Sequence, residues 1–136
     1  MSTLPDFLIN KNDPYIFHTN YSNVFTQDTN DRGTIFGGKL FSEIDLTVAQ
    51  HCTILLRNSE CEDAVTVSAS ITYHAGAILG DVLRHESTCV KAGIKSLKFF
   101  VETYALRKEG NIHISTAELV FVSRKSGQTY PHGVKL

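Results

Sequence analysis

The sequence predicts an α+β fold in which one long helix packs against one face of an antiparallel sheet. After Gly38, residues 39–57 contain neither proline nor glycine, and their apolar side chains recur at helical spacing. Four strand-like segments follow, and turn signals containing glycine separate them. Because these strands are joined by short turns, we expect them to pair as an antiparallel meander under the helix.

The helix is expected over residues 38–57, and Asn58-Ser59 ends it. Its apolar stripe consists of Phe41, Ile44, Val48, Cys52 and Leu55. At about 100° per residue, Asp45 projects into this stripe, whereas Glu43 falls on the far side. An isolated buried charge is too costly, so the Asp45 carboxyl must be paired, hydrogen-bonded or protonated. Asp45 is therefore either a satisfied structural acid or a functional group.

The remaining segments are read from alternation and turn residues. Residues 1–21, which carry Pro5 and Pro14, are expected to form an irregular arm or a short first element, and residues 22–26 a short strand. The four later strands are expected over residues 64–74, 81–91, 95–106 and 112–124. In the first of them, alternation places one set of side chains on a single face: Val65, Val67, Ala69, Ile71 and Tyr73.

Length and composition favour a single domain in the cytoplasm. The chain has 136 residues, with 13 Lys+Arg against 14 Asp+Glu, so it presents no basic field for nucleic acid. It has no run of eighteen apolar residues and no secretion signal at its start, so we expect no membrane partner. Three cysteines, Cys52, Cys61 and Cys89, suit neither a disulfide framework nor a zinc site. One helix on one sheet leaves an open edge, which favours a homodimer.

A phosphate-loop reading of the segment before the helix is disfavoured. Residues 33–39 match the spacing G-x-x-x-x-G-K. Leu40, however, stands where that motif needs a hydroxyl for magnesium, and the chain lacks the other helices of a parallel α/β sheet. A nucleotide hydrolase is therefore not expected.

Gly37 and Gly38 are better explained as the start of the helix. Their N–H groups lie at the positive end of the helix dipole, where a carbonyl oxygen gaining negative charge would be stabilised. The alternative is that these glycines only let the helix enter under the sheet. Asp45 lies roughly 10 Å further along the axis than Gly38. Only an extended substrate, or a second chain, would bring the two together. Asn30 lies in the preceding loop, where a turn-forming role is the alternative.

Other polar residues carry weaker signals. His51 and Cys52 point about 100° apart on the helix, so they cannot form a thiolate–imidazole pair with each other. The other histidines show no metal-ligand spacing, so no metal site is expected. Lys91, Lys95 and Lys98 are ordinary surface residues individually, but together they could meet a phosphorylated ligand.

At this point the residues resemble a known family. Asp28-Thr29-Asn30, Gly33, Ile35-Phe36-Gly37-Gly38 and Asp45 together resemble the signature of hotdog-fold acyl-CoA thioesterases. Residues 65–73, 80–83 and 93–97 are similar to strand segments of that family, and the resemblance covers about residues 22–127.

This resemblance implies a single hotdog domain over residues 1–136, with residues 1–21 as an N-terminal arm. It also implies a homodimer or dimer of dimers with sites at the interface. The implied function is an acyl-CoA thioesterase that needs no metal or separate cofactor, since coenzyme A is part of the substrate. Asp45 is the implied general base or nucleophile, and Asn30 holds the thioester or the water. The amides of Gly37 and Gly38 polarise the carbonyl, and Thr66 orients water.

The coenzyme A moiety is expected near the turn formed by Gly93, Lys95 and Ser96, because glycine permits close approach and the polar side chains suit phosphate. Two alternatives remain open. One is a non-catalytic acyl-CoA-binding hotdog module, which a salt bridge holding Asp45 away from the glycine amides would favour. The other is a dehydratase or hydratase, which needs a site histidine that only His51 or His74 could supply. Phe36, standing where those enzymes carry histidine, disfavours it.

Overall fold

The computed structural model describes residues 11–136 and shows one α-helix on one antiparallel sheet in that range. The elements are β1 (Phe17–Asn23), α1 (Gly37–Leu55), β2 (Asp63–Tyr73), β3 (Val82–Ala92), β4 (Ser96–Arg107), β5 (Gly110–Lys125) and β6 (Gln128–Thr129). The strand order is β1-β3-β4-β5-β2, and the short β6 pairs with the end of β5. The predicted fold class is confirmed. Because every strand pair in these residues is antiparallel, the phosphate-loop spacing lacks its βαβ context.

The helix packs one face on the sheet and supplies much of the core. Its buried residues are Leu40, Ile44, Thr47, Val48, His51, Cys52 and Leu55. They lie over inward-facing side chains of β3, β4 and β5, including Leu83, Phe99, Val101, Leu119 and Phe121. Burial of a large apolar side chain contributes about 1.5–3 kcal/mol each, so this contact dominates the stability of the fold. In residues 11–136 no helix is long and apolar enough to cross a membrane.

The buried face of the helix differs from the predicted apolar stripe. Thr47 and His51 are fully buried, and the stripe is therefore rotated away from Asp45. Asp45 is only half-buried in the single chain. The prediction that folding buries Asp45 is therefore wrong for the single chain. Glu43, predicted on the far side of the helix, is instead mostly buried, with a side chain 16% exposed and paired with Lys39. The prediction failed because it counted apolar residues alone, whereas polar partners on the sheet allow Thr47 and His51 to be buried.

Buried polar side chains also explain why the predicted bounds of the first strand are wrong. The sequence predicted a strand over residues 22–26, but β1 begins at Phe17 and ends at Asn23. Its inward side chains are polar: His18 bonds Gln50 at 2.8 Å, Asn20 donates to Thr47 at 3.2 Å, and Ser22 bonds His85 at 2.8 Å. No apolar alternation marks such a strand. Of the expected arm over residues 1–21, residues 1–10 lie outside the described residues.

A bulge in β2 changes which of its side chains face the helix. Thr66 pairs with Phe121 and Ser68 with Val120, so Val67 is an extra residue between them. An extra residue reverses the inward and outward alternation of a strand. Ala64 and Thr66 therefore share the helix side with Ala69, Ile71 and Tyr73, whose partners on β5 are also buried. The predicted single face that included Val65 and Val67 is wrong for this reason.

Candidate functional site

The loop between β1 and α1 is organised around Asn30. The Asn30 side-chain oxygen accepts hydrogen bonds from the N–H groups of Arg32 at 2.9 Å and Thr34 at 3.2 Å. Gly33 lies between them with φ +78°, a conformation that favours glycine. Backbone N–H groups can only donate, so the atom facing them is Oδ1 and the amide nitrogen points the other way. Asn30 therefore presents a hydrogen-bond donor to its surroundings.

Asn30 and the start of the helix share a cleft of about 360 Å³. Its walls are Asn30, Arg32, Thr34, Ile35, Gly37, Leu40, Tyr73, His74, Ala75 and Gly76. The N-cap residue Phe36 makes no side-chain capping hydrogen bond in the part of the chain that the structure describes, so the N–H groups of the first turn are open to a ligand oxygen. The Tyr73 hydroxyl donates to the Gly37 carbonyl at 3.2 Å, and a Cβ on Gly37 would lie 3.3 Å from that hydroxyl. Gly38 faces open space.

Asp45 and Thr66 form a second polar group, between α1 and β2. The Thr66 hydroxyl donates to Asp45 Oδ1 at 2.6 Å, a contact that the bulge in β2 makes possible. Among residues 11–136 no lysine, arginine or histidine forms an ion pair with Asp45. The salt bridge that would favour a purely binding module is therefore not seen in this part of the chain.

The two groups do not meet within one chain. Asp45 lies eight residues beyond Gly37 in the same helix, which is about 12 Å along the axis at 1.5 Å per residue. A reacting carbonyl must be about 3 Å from its oxyanion donors and from the attacking group at the same time. The structure thus joins Asn30 with Gly37, and Asp45 with Thr66, but leaves the pairs apart.

A groove of about 330 Å³ lies between the last turns of α1 and the start of β2. Small and apolar side chains line one part of it, and the charged residues Arg57, Glu62 and Asp63 line another. Ala49 follows Asp45 by one helical turn, and Ala64 shares the helix side of β2 with Thr66, so the groove lies beside that pair. Burial raises the pKa of the Cys52 thiol, which makes it a neutral lining group.

The turn between β3 and β4, expected to contact coenzyme A, lies at the other end of the helix. Ser96 pairs with Val122 near the start of β2, whereas Gly37 contacts Tyr73 at the end of β2. A Cβ on Gly93 would lie 2.5 Å from the Ser96 hydroxyl, so a larger residue at position 93 would displace that side chain.

The lysines around this turn differ in their surroundings. Lys95 is exposed, and its carbonyl accepts a hydrogen bond from the Ser123 N–H at 2.9 Å. Lys98 is paired with Glu118 at 2.7 Å, which leaves it less available to a ligand than Lys95.

The two histidines considered for hydratase chemistry have different surroundings. His51 is fully buried, bonded to Ser87 Oγ at 2.9 Å and to the Tyr15 carbonyl at 3.0 Å, so it belongs to the core. His74 lines the cleft, and its Nε2 lies 2.9 Å from Thr116 Oγ1. Among residues 11–136 no group of three or more histidine, cysteine or acidic side chains could hold a metal ion.

Sequence reasoning did not identify Thr34 or Tyr73 as cleft residues. Thr34 follows Asn30 by four residues across a glycine, a spacing at which a loop can fold back on itself. This spacing is the signal that could have identified Thr34. Tyr73 was placed on a strand face, and only the helix–sheet packing brings it to Gly37.

Three solved structures similar to this chain are named as acyl-CoA hydrolases or thioesterases. An acyl-CoA hydrolase from Staphylococcus aureus, in complex with butyryl coenzyme A and coenzyme A, has 24% identity and a TM-score of 0.77, with 85% of this chain and 70% of that chain covered. A hexameric acyl-CoA thioesterase without ligand has 27% identity and a TM-score of 0.75, covering 85% and 74%. A hexameric hotdog-fold thioesterase of Campylobacter jejuni has 28% identity and a TM-score of 0.74, covering 84% and 88%.

These similarities confirm the expected hotdog fold. No significant match was found among curated protein sequences. A sequence model described as "Thioesterase superfamily" matches residues 32–110, which is more than half of the chain and includes Gly37, Asp45 and Thr66. The chain therefore belongs to the thioesterase superfamily.

Proposed function

We propose that this protein is an acyl-CoA thioesterase that hydrolyses its substrate to a free acid and coenzyme A. The observation that carries the proposal is the presence of N–H donors in one cleft together with a carboxylate that has no ion-pair partner in residues 11–136. Asn30 and the uncapped start of α1 offer N–H groups in one cleft, and Asp45 has no ion-pair partner in residues 11–136. Oxyanion donors and one carboxylate are what thioester hydrolysis requires. The butyryl coenzyme A bound to the Staphylococcus aureus relative supports this substrate class.

In the proposed reaction, the thioester carbonyl oxygen accepts hydrogen bonds from the Asn30 amide nitrogen and from the N–H groups of Gly37 and Gly38. Negative charge develops on this oxygen as the carbonyl carbon becomes tetrahedral. Donors fixed in position before the reaction stabilise that charge without reorganising. The hydrogen bonds that hold Asn30 Oδ1 in the loop support a donor role for its amide.

Asp45 acts as the general base in this proposal. Thr66 occupies Oδ1, so the other carboxylate oxygen takes a proton from water as the water oxygen attacks the carbonyl carbon. Collapse of the tetrahedral intermediate breaks the carbon–sulfur bond, and the leaving coenzyme A thiolate takes the proton from the Asp45 carboxylic acid, which restores the carboxylate. Direct attack by Asp45 is the alternative. Label found in the Asp45 carboxyl group after single turnover in H₂¹⁸O would establish direct attack, because general-base catalysis places the label in the product acid only.

A second copy of the chain completes the site. The axial distance of about 12 Å between Gly37 and Asp45 excludes one carbonyl from meeting both groups in one chain. Within residues 11–136, β2 pairs only with β5, so its other edge is open, and Val67 there is 57% exposed. Residues 63–73 contain neither proline nor lysine to protect this edge. Pairing of two copies through β2 would bring the Asn30 cleft of one toward Asp45 of the other. A homodimer, or a dimer of dimers, is the proposed unit.

The acyl and coenzyme A parts of the substrate have separate proposed sites. The part of the groove lined by Ala49, Cys52, Leu56 and Ala64, beside Asp45 and Thr66, is the proposed site for the acyl chain. Lys95 and Ser96, beside Gly93, are the proposed contacts for the phosphorylated moiety. The cytoplasm is the proposed compartment, since Cys52, Cys61 and Cys89 are all unpaired thiols.

The experiment is a panel of acyl-CoA thioesters assayed for release of free thiol. The wild type should hydrolyse at least one member. Asp45→Asn keeps the shape but removes the basic oxygen, so kcat should fall roughly a hundredfold or more. Glu43→Gln, on the other flank of the same helix and paired with Lys39, is the matched control and should change kcat little.

Crotonyl-CoA belongs in the panel because His74 lines the cleft. Hydration of its double bond without thiol release would establish the hydratase alternative. Binding of acyl-CoA without either reaction would establish the non-catalytic module. Equal rates for Asp45→Asn and the wild type would remove Asp45 from the mechanism.

A further inference from the structure

Thr34 contacts Asn30 through its side chain as well as through its backbone. Its N–H donates to Asn30 Oδ1, and its carbonyl accepts from the Asn30 N–H at 2.8 Å. Its hydroxyl oxygen lies 3.0 Å from Asn30 Nδ2 and 3.2 Å from Oδ1. Both polar atoms of the Asn30 amide are thus held by the Thr34 side chain.

The two kinds of contact have different consequences. The N–H groups of Arg32 and Thr34 hold Oδ1, and any residue at position 34 except proline would supply the second. The hydroxyl is the acceptor for one N–H of Nδ2. With that N–H engaged, the other is directed away from Thr34, and the amide plane is fixed. The orientation of the donor therefore depends on the Thr34 hydroxyl.

The methyl group of Thr34 is held by the neighbouring loop. Thr34 pairs with Ile78 in an isolated bridge, and the Ile35 N–H donates to the Ala77 carbonyl at 2.8 Å. A Cβ placed on Gly76 would lie 2.9 Å from the Thr34 methyl carbon. Gly76 thus leaves the space that Thr34 occupies, and this packing limits rotation of the Thr34 side chain.

We propose that Thr34 is a positioning residue for the reaction, which orients the Asn30 amide so that its second N–H meets the thioester carbonyl oxygen. This inference rests on the proposed thioesterase function. Thr34 itself does not touch the reacting atoms. Its effect appears in kcat, because a misdirected donor weakens stabilisation of the transition state more than binding of the substrate.

The first test compares Thr34→Val with Thr34→Ser. Valine keeps the branched shape and the backbone hydrogen bonds but lacks the hydroxyl, so kcat should fall about tenfold with little change in KM. Serine keeps the hydroxyl and should restore most of kcat. Equal losses in the two variants, or wild-type kcat in Thr34→Val, would overturn the inference.

The second test is a double-mutant cycle with Asn30→Ala. If Thr34 acts through Asn30, then Thr34→Val should have no further effect on kcat in the Asn30→Ala background. A full additional tenfold loss there would show that Thr34 supports the fold instead. Thermal unfolding of each variant, followed by circular dichroism, accompanies the kinetics.

Gly76→Ala offers an independent test from the packing side. The added Cβ should displace Thr34 and lower kcat, and Thr34→Ser should rescue that loss by removing the crowded methyl carbon. Absence of any effect of Gly76→Ala, or of rescue by the double variant, would contradict the packing argument. Wild-type hydrolysis of acyl-CoA is the reference throughout. Failure of the wild type refutes the proposed function, whereas an active wild type with an equally active Thr34→Val refutes only this inference.

Discussion

Two buried histidines between the helix and the sheet should make the fold sensitive to mild acid. His51 and His85 are both fully buried. Burial lowers the pKa of each to about 4, opposed at His51 by the Tyr15 carbonyl and at His85 by Glu43. The Tyr15 carbonyl can only accept, so His51 carries its proton on Nε2 and accepts from Ser87 through Nδ1. Both rings are therefore neutral in the folded protein at pH 7.

The sign of the effect follows from the unfolded chain, which binds these protons more readily. An unfolded histidine has a pKa near 6.5, so protons favour the unfolded state as the pH falls from 6.5 toward 4. Between pH 7 and pH 5, linkage predicts a loss of about 2 kcal/mol for each histidine. The loss of about 4 kcal/mol for both is a large share of the roughly 5–15 kcal/mol typical of a domain.

The assay is urea unfolding at pH 7 and pH 5, followed by far-ultraviolet circular dichroism because the chain has no tryptophan. Protein concentration is held constant, since assembly contributes to apparent stability. His51→Gln and His85→Gln should each lower stability at pH 7 but remove about half of the difference between the two pH values. Equal stability of the wild type at both pH values would refute the reasoning. So would an undiminished difference in both variants.

Three further changes test other parts of the account. Thr66→Val removes the hydroxyl bonded to Asp45 and should lower kcat by about ten- to a hundredfold, whereas Thr66→Ser should keep most of the wild-type kcat. Unchanged kinetics in Thr66→Val would exclude this contact from the mechanism. Lys95→Glu should raise KM for acyl-CoA, more at low salt, and leave kcat largely unchanged. Hydrolysis of a short thioester that lacks the nucleotide should change little, and an equal loss of activity on both substrates would show that the turn supports the fold. Arg107→Met removes the two hydrogen bonds that Arg107 donates to the buried Asp81 carboxylate, while the hydrogen bond from the Ile78 N–H remains, and should cost about 2 kcal/mol of unfolding free energy. Arg124→Met, whose partner Asp63 is exposed, should cost far less, and similar losses would contradict the burial argument.

The sequence predicts elements well where apolar periodicity and turn residues agree. The helix, expected over residues 38–57, runs from Gly37 to Leu55, and the four later strands lie within two residues of their predicted bounds. The sequence was misleading where polar side chains are buried. His51 and Thr47 on the helix form hydrogen bonds with partners on β3 and β1, respectively. An apolar pattern in the sequence does not predict such buried polar contacts.

The candidate site depends on features that a linear pattern does not contain. The bulge at Val67 turns Thr66 toward Asp45, and a regular strand would turn it away. The N–H groups of Gly37 and Gly38 suggested a ligand site at the helix start, but the hydrogen bonds that make Asn30 a donor required three-dimensional contacts. The separation of Gly37 from Asp45 was predictable from helical rise alone, and it led to the expectation of a second chain.

The central claim is that one catalytic site contains Asn30 of one protomer and Asp45 of another. It is tested most directly by mixing Asn30→Ala protein with Asp45→Asn protein, each with strongly reduced activity, under conditions that exchange subunits, with exchange verified by native mass spectrometry. In a random mixture, half of the dimers are mixed and each has one intact site, so activity should recover to about a quarter of the wild-type value. No recovery despite verified exchange would show that each site is built within a single chain and would contradict the account.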